Sequence, residues 1–340
     1  MMVVAVLAAA GCALQPPMTL TPSGREALEC RHVQRAEADR TATSVIWLLP
    51  DDPGHRAKLD AVCRGVGPVA VTTPAISAGT PGSTPPDDRR LRDLVLVSWN
   101  TYLGRGRLPE LVSQLTRGAF TSGQPVDTFV LLLQEVYRSR ILTFASDRNL
   151  HAVFAPTRRR EGEEQERGAA ILSTLPITDL LMVELPFEKQ RRIAIGATVV
   201  DGVANGASRY LRVVNAHFDT NVGLLRGGPS AARRRQARAL IDALRQWPAP
   251  LVIGGDLNTW WGDDEPAVKD LRRAFPEALP LRARETWRGP LGTGNKLDYV
   301  FAKGMRQAVT VKRLADRFGS DHWPLLAVVP LEALATRPTK

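Results

Sequence analysis

No apolar stretch of the chain reaches the roughly 18–20 residues that a spanning helix needs, which excludes a helical multi-pass membrane protein. Glycine (27) and proline (25) fall far short of collagen, and no internal repeat is present. A hydrophobic content of 44% is too high for a disordered chain. Lysine is scarce, at 7 of 45 basic residues, the other 38 being arginine. What remains is a globular composition with enough length, 340 residues, for one large domain or two small ones. Basic residues outnumber acidic ones 45 to 35, a net charge of +10. That balance favours anionic partners: nucleic acid, phosphate esters or an anionic membrane surface.

Cysteine is also scarce, with three positions, and each is informative. The uncharged start MMVVAVLAAAG runs directly into Cys12, and it resembles a bacterial lipoprotein signal. The reading for residues 1–12 is therefore a cleaved leader, lipidation at Cys12 and export to the periplasm or cell envelope. Two departures are the missing basic residues and Ala9 where leucine is usual; a buried helix is the alternative. Cys30 and Cys63 then form an even pair, which an oxidising compartment would join. Two reduced, buried cysteines are the other option.

Residues 13–72 read as a small segment with a strand (45–50), a helix (55–64) and a second strand (68–71). The stretch TPAISAGTPGSTPPDDRR (73–90) is too rich in Pro, Gly, Ser and Thr to bury much surface and reads as a linker. From 91 to 330 the pattern changes to short β-branched and apolar runs bounded by turn residues. They are LVLVSW (94–99), TFVLLLQ (128–134), AAILS (169–173), IAIGATVV (193–200), YLRVVNAHF (210–218), PLVIGGD (250–256), KLDYVFA (296–302), AVTVKRL (308–314) and PLLAVV (324–329). Helices are expected over 109–116, 139–148, from an N-cap at Ser230 to Trp247, and over 265–275. Residues 331–340 are a tail. Many strands with few helices imply two packed, mainly antiparallel sheets flanked by helices, a four-layer α/β sandwich. The charged run TRRREGEEQER (157–167) reads as a solvated hairpin loop, with anion recognition as the second option.

Polar or acidic residues stand at the ends of six of these runs: Asn100, Glu135, His217, Asp256 with Asn258, Asp298, and Asp321 with His322. Groups held on loops by a rigid sheet make a site. Singly, each has a structural explanation as a turn, cap or core residue; together they do not.

The segments SWNTYLG, LLLQEV, RGAAILST, NAHFDT, GGDLN, KLDYVF and GSDHWPL, in this order, resemble the endonuclease/exonuclease/phosphatase superfamily. The resemblance covers about 91–329 and implies a metal-dependent phosphoric ester hydrolase. It implies Glu135 as principal metal ligand, with Asn100 supporting metal or phosphate and Asp321 at the metal side. Mg²⁺ is the expected ion, with Mn²⁺ or Ca²⁺ as alternatives. Asp256 and Asn258 correspond to the pair that positions water and the phosphoryl oxygens. Asp298 corresponds to the carboxylate that orients His322, and His217 is a second histidine facing the phosphate. Tyr102, where apurinic endonucleases carry an acidic residue, points away from DNA repair. Whether His322 or Asp256 is the base stays open.

Substrate is less sharply read. Arg226, Arg234 and Arg238 are candidates for substrate binding, and Arg234 and Arg238 share a helix face. Trp260, beside Trp261, has three readings: stacking on a base, dipping into a membrane, or packing against the sheet edge. An exported nuclease, a sphingomyelin or phospholipid phosphodiesterase, an inositol-phosphate phosphatase and a catalytically silent binding protein are the competing classes.

Overall fold

The computed structural model describes residues 20–22, 29–35, 44–74, 93–159, 165–202, 207–220, 228–289, 292–330 and 335–338. Cys12, most of the 73–90 stretch and Arg226 lie outside them. The expected strands of 91–330 all form, and they fall into two mixed, mainly antiparallel sheets. The first sheet orders Leu20–Pro22, Val45–Pro50, Ile177–Glu184, Ile193–Gly202, Ala207–His217, Leu251–Asp256 and Asp298–Lys303, with Ala335–Pro338 also on Ala207–His217. The second orders Thr310–Arg313, Leu325–Val329, Leu94–Asn100, Phe129–Tyr137, Arg167–Ser173, His151–Arg158, Val69–Thr72 and Val33–Arg35. No described helix is long and apolar enough to cross a membrane.

Strand Leu94–Asn100 is buried along its whole length because both faces are covered. Leu94 and Leu96 meet Ile195, Val213 and Val252 of the other sheet. Val95, Val97 and Trp99 instead meet the helices Leu108–Thr116 (α2) and Arg138–Asp147 (α3); helix Pro53–Cys63 is α1. On the far side, Val214, Ala216 and Ile253 pack under Gly228–Arg245 (α4) and Pro266–Ala274 (α5). That gives four layers, helix–sheet–sheet–helix, and explains why the strands are continuously apolar rather than alternating. The sheets approach closely at Gly254, where a Cβ would lie 2.8 Å from Cβ of Ser98 and 2.9 Å from Leu132.

Several local expectations change. Helix α4 begins at Gly228, so Ser230 is inside its first turn rather than at the cap. The 157–167 run is not solvated at its foot: Glu166 and Arg167 are buried. Glu166 takes Nε of Arg138 at 2.6 Å and the backbone N–H of Gly67, which ties the run to the N-terminal segment. That segment contributes strands to both sheets. Val45–Pro50 lies parallel to Ile177–Glu184, and Val69–Thr72 lies antiparallel to His151–Arg158. Cys30 and Cys63 form a disulfide with Cα atoms 5.3 Å apart, packed on Val66.

Candidate active site

Sheet register builds the site. In the first sheet His217 stands opposite Asp256, and Asp256 opposite Asp298, so one rung carries all three at the strand ends. In the second sheet Asn100 stands opposite Gln134, next to Glu135. Both ends open on a cleft of about 670 Å³, whose walls include Asn100, Glu135, Asp256, Asn258, Asp321 and His322.

Glu135 reaches the cleft through an irregularity. Pairing with Arg167–Ser173 shifts between Leu133 and Val136, and Glu135 has φ +60°. A bulge of this kind re-aims one side chain. Gln134 turns between the sheets to Asn215, 2.7 Å away, whereas Glu135 accepts the N–H of Leu103 at 3.0 Å. Asn258 also has a positive φ, +49°, and anchors its amide on the carbonyl of Phe218 at 3.0 Å. Such backbone costs about 1–3 kcal/mol per residue and tends to gather at functional sites.

Asp256 is the hub. Its Oδ2 accepts Nδ2 of Asn100 at 2.9 Å, and its Oδ1 accepts the N–H of Asn258 at 2.8 Å. Nε2 of His217 and Nε2 of His322 lie 3.6 and 3.8 Å from the same Oδ2. Burial pushes the Asp256 carboxyl up to about 7, with Asp298 adding to the rise against the pull of His322. The two histidines diverge. For His322 burial opposes charge, but Asp298, Asp256 and Asp321 outweigh it and raise the imidazole to about 10. Nδ1 of His322 is 2.8 Å from Oδ2 of Asp298, and a charged ring donates there. His217 goes the other way: burial, then Arg192 and His322, hold it well below its ordinary value. Nη1 of Arg192 is 2.8 Å from Nδ1 of His217. A guanidinium can only donate, so Nδ1 is the acceptor and the His217 proton sits on Nε2. Both rings therefore present an N–H donor toward Asp256, one neutral and one charged.

The donor set fits a hard divalent cation, which takes a few oxygens and keeps waters. Asp321 Oδ2 accepts Nε1–H of Trp287 at 2.9 Å, while its buried Oδ1 has no hydrogen-bond partner and lies 3.8 Å from Nε2 of His322. Burial raises the Asp321 carboxyl, and the charge of Glu135 adds to it, a repulsion that a cation between them would relieve. Asp256, Asp298 and His322 also bring ligand atoms within 4.8 Å of one another. Because His322 and Asp298 already share a proton, that trio suits proton handling better than ligation.

Not every residue read as substrate-binding comes here. Arg234 and Arg238 turn to Asp270 of α5, at 2.8 and 3.2 Å, and line a separate depression between α4 and α5. Arg233 is buried on Glu265 and the half-buried Arg235 pairs with Glu188, so the basic face of α4 is neutralised by carboxylates. Trp260 does line the cleft; it is 58% exposed and Trp261 70%. Glu265 holds the backbone of both tryptophans at 3.2 Å. Trp287 and the Arg192–His217 contact belong to the site as well. For Trp287 the sequence carried no signal, and for Arg192 only its position ahead of a strand.

The layered fold is a phosphoesterase fold. Residues 97–322 match the Endonuclease/Exonuclease/phosphatase family, and the chain belongs to it. An endonuclease/exonuclease/phosphatase from Bacteroides vulgatus aligns over 70% of this chain and 98% of its own, at 18% identity and TM-score 0.50. Sphingomyelinase C from Streptomyces griseocarneus aligns over 70% and 100%, at 20% identity and TM-score 0.47. These likenesses are of fold. A UPF0294 protein of Vibrio cholerae is 30% identical over 93 residues, 27% of this chain and 32% of that protein. The match thus spans about a third of the curated relatives' length.

Proposed function

We propose that the protein is an exported, Mg²⁺-dependent phosphodiesterase that cuts a phosphate ester by attack of water, with nucleic acid as the leading substrate. The observation that carries this reading is the environment of Asp256. A carboxyl raised to about 7 lies beside a neutral and a charged imidazole N–H, and the buried Nε2 of His217, 3.6 Å from that carboxyl, makes no hydrogen bond. Buried orphan atoms in a cleft need an explanation, and a phosphoryl oxygen supplies one.

In this mechanism Asp256 accepts the proton of the attacking water, a task for which a base near neutrality is suited. Asn258 and Asn100 hold that carboxylate in place. His217 Nε2–H donates to a phosphoryl oxygen, the His322 imidazolium gives its proton to the leaving oxygen as the P–O ester bond breaks, and Asp298 keeps His322 charged and oriented. Glu135, Asn100 and Asp321 would hold the divalent ion, whose chemistry is charge neutralisation at the phosphate. Export is supported by the Cys30–Cys63 disulfide.

A second reading, a lipid phosphodiesterase, is favoured by the exposed Trp260 and Trp261 at the cleft rim. One experiment separates the two: purified protein with Mg²⁺ on plasmid DNA, sphingomyelin and bis(p-nitrophenyl) phosphate, with EDTA controls. EDTA-sensitive cleavage of DNA and the chromogenic diester is expected; cleavage of sphingomyelin alone would replace the nuclease reading with the lipid one.

A further inference from the structure

Beside the catalytic cleft lies a second pocket of about 210 Å³, and the two share Leu103, Glu135 and Thr220. Its wall is basic: Arg158, Arg167 and Arg192 meet there, next to His217. Arg192 and Arg167 are only 5% and 8% exposed. A buried guanidinium ordinarily has a carboxylate against it, because an isolated buried charge is costly. Neighbouring Arg191 illustrates the rule, with its Nε 3.0 Å from Glu184 and neither side chain exposed. Arg192 has no carboxylate at hydrogen-bond distance; the charges of Asp219, Glu135 and Asp256 act on it only from further off. Its Nη1 meets only the imidazole of His217, and its buried Nε has no acceptor. Arg167 and Arg192 thus bring two buried cationic side chains to one small space, with Arg158 also on its wall and Glu135 as its acidic lining residue.

We propose that this pocket binds a second phosphate of the substrate, adjacent to the ester that is cut. The inference rests on the phosphoesterase reading and narrows it. Guanidinium groups in a pocket match a phosphate by charge and by paired donors. A choline headgroup, being a cation, would meet the like charges of Arg167 and Arg192 in the same place. The substrate is therefore an ester carrying a neighbouring phosphate, which a nucleic-acid strand supplies repeatedly and a polyphosphorylated small molecule supplies once or twice. The pocket also continues the charged run that begins at Thr157, whose Arg158 and Arg167 point to anion recognition rather than to a solvated loop.

The test compares wild type with Arg167→Gln, Arg158→Gln and Arg167→Lys, using the full chain with Mg²⁺. Substrates are a 5′-phosphorylated thymidine dinucleotide, inositol bisphosphate and bis(p-nitrophenyl) phosphate, which has no second phosphate. Each glutamine variant should raise KM for the phosphorylated substrate about tenfold or more, the scale of one charge-assisted contact. Hydrolysis of the chromogenic diester should stay within about twofold, and Arg167→Lys should restore part of the KM. Equal losses on all substrates, or no change on any, would overturn the pocket. Arg167 dependence confined to the dinucleotide identifies a strand; dependence confined to inositol bisphosphate identifies a small polyphosphorylated ester. A binding measurement separates this inference from the one beneath it. In EDTA, calorimetry should find thymidine bisphosphate bound more tightly than thymidine monophosphate, with the difference lost in Arg167→Gln. A wild type that cuts nothing but keeps that preference refutes the phosphoesterase reading and retains the pocket. Hydrolysis without any preference refutes the pocket alone.

Discussion

His217 and His322 approach the same oxygen of Asp256, at 3.6 and 3.8 Å, yet the protein holds one neutral and the other charged. The difference comes from what stands behind each ring. Arg192 backs His217, and Asp298 backs His322. Opposite second partners let two identical side chains serve as two different donors to one anion.

This arrangement sets a pH profile. Asp256 must be ionised to act as base, so activity rises as pH passes about 7. His322 must keep its proton, so activity falls as pH passes about 10. The rate of cleavage of bis(p-nitrophenyl) phosphate should be bell-shaped between these limbs. Removing the charge behind His322 in Asp298→Asn lowers its pKa, and the falling limb should move to lower pH. A profile whose alkaline limb ignores that substitution would contradict the pairing.

Loss of His322 itself should be severe. His322→Ala is expected to lower turnover by about 10²-fold or more, the usual scale for a positioned acid or base. EDTA should abolish activity, and Glu135→Gln should raise the Mg²⁺ concentration needed for half-maximal rate. Undiminished rates in either variant, measured with saturating substrate, would remove that residue from the mechanism.

The disulfide closes a loop with a sequence separation of 33 residues. In the chain-entropy account such a closure stabilises by about 3–4 kcal/mol. Urea unfolding of Cys30→Ala/Cys63→Ala should show a loss of this order, and the intact mass of protein from its native source should show a disulfide and a chain beginning at a lipid-modified Cys12. Free thiols together with an unprocessed Met1 would defeat the export reading.

A fourth expectation concerns the seam between the sheets. Gly254→Val would place methyl groups where Ser98 and Leu132 already lie, within 3 Å of the new Cβ. Overpacking of this kind costs about 1–3 kcal/mol. Thermal unfolding should register it, and because Asp256 is two residues on, cleavage should fall in parallel.

Most of the nine strands read between 91 and 330 were legible because burial on both faces demands continuous apolar runs; the edge strand Thr310–Arg313, alternately exposed and half-buried, is the exception. Besides the two-residue strands Trp287–Arg288 and Gly294–Asn295, two strands of the sandwich in that range were not legible. His151–Arg158 contains Pro156, and Ile177–Glu184 carries Thr178, Asp179 and a Leu-Leu-Met run without β-branching. Their pairing comes from neighbours distant in sequence, which no local pattern encodes. Site residues at strand ends were legible for a related reason: a polar group that closes an apolar run is conspicuous. The arginines of α4 misled because Asp270, which engages Arg234 and Arg238, lies 36 and 32 residues away on another helix. Likewise the Arg192–His217 contact, 25 residues apart, depends on two strands lying side by side.

Those two unforeseen strands have one thing in common. In the first sheet Ile177–Glu184 is covered by Val45–Pro50, and in the second His151–Arg158 is covered by Val69–Thr72. Helix α1 and the cysteine cross-link connect the two coverings. Without residues 44–74 each sheet would end in a bare ladder of unpaired N–H and C=O groups, the kind of edge through which chains recruit one another. The segment that holds none of the candidate site groups thus satisfies the backbone along one long edge of each sheet.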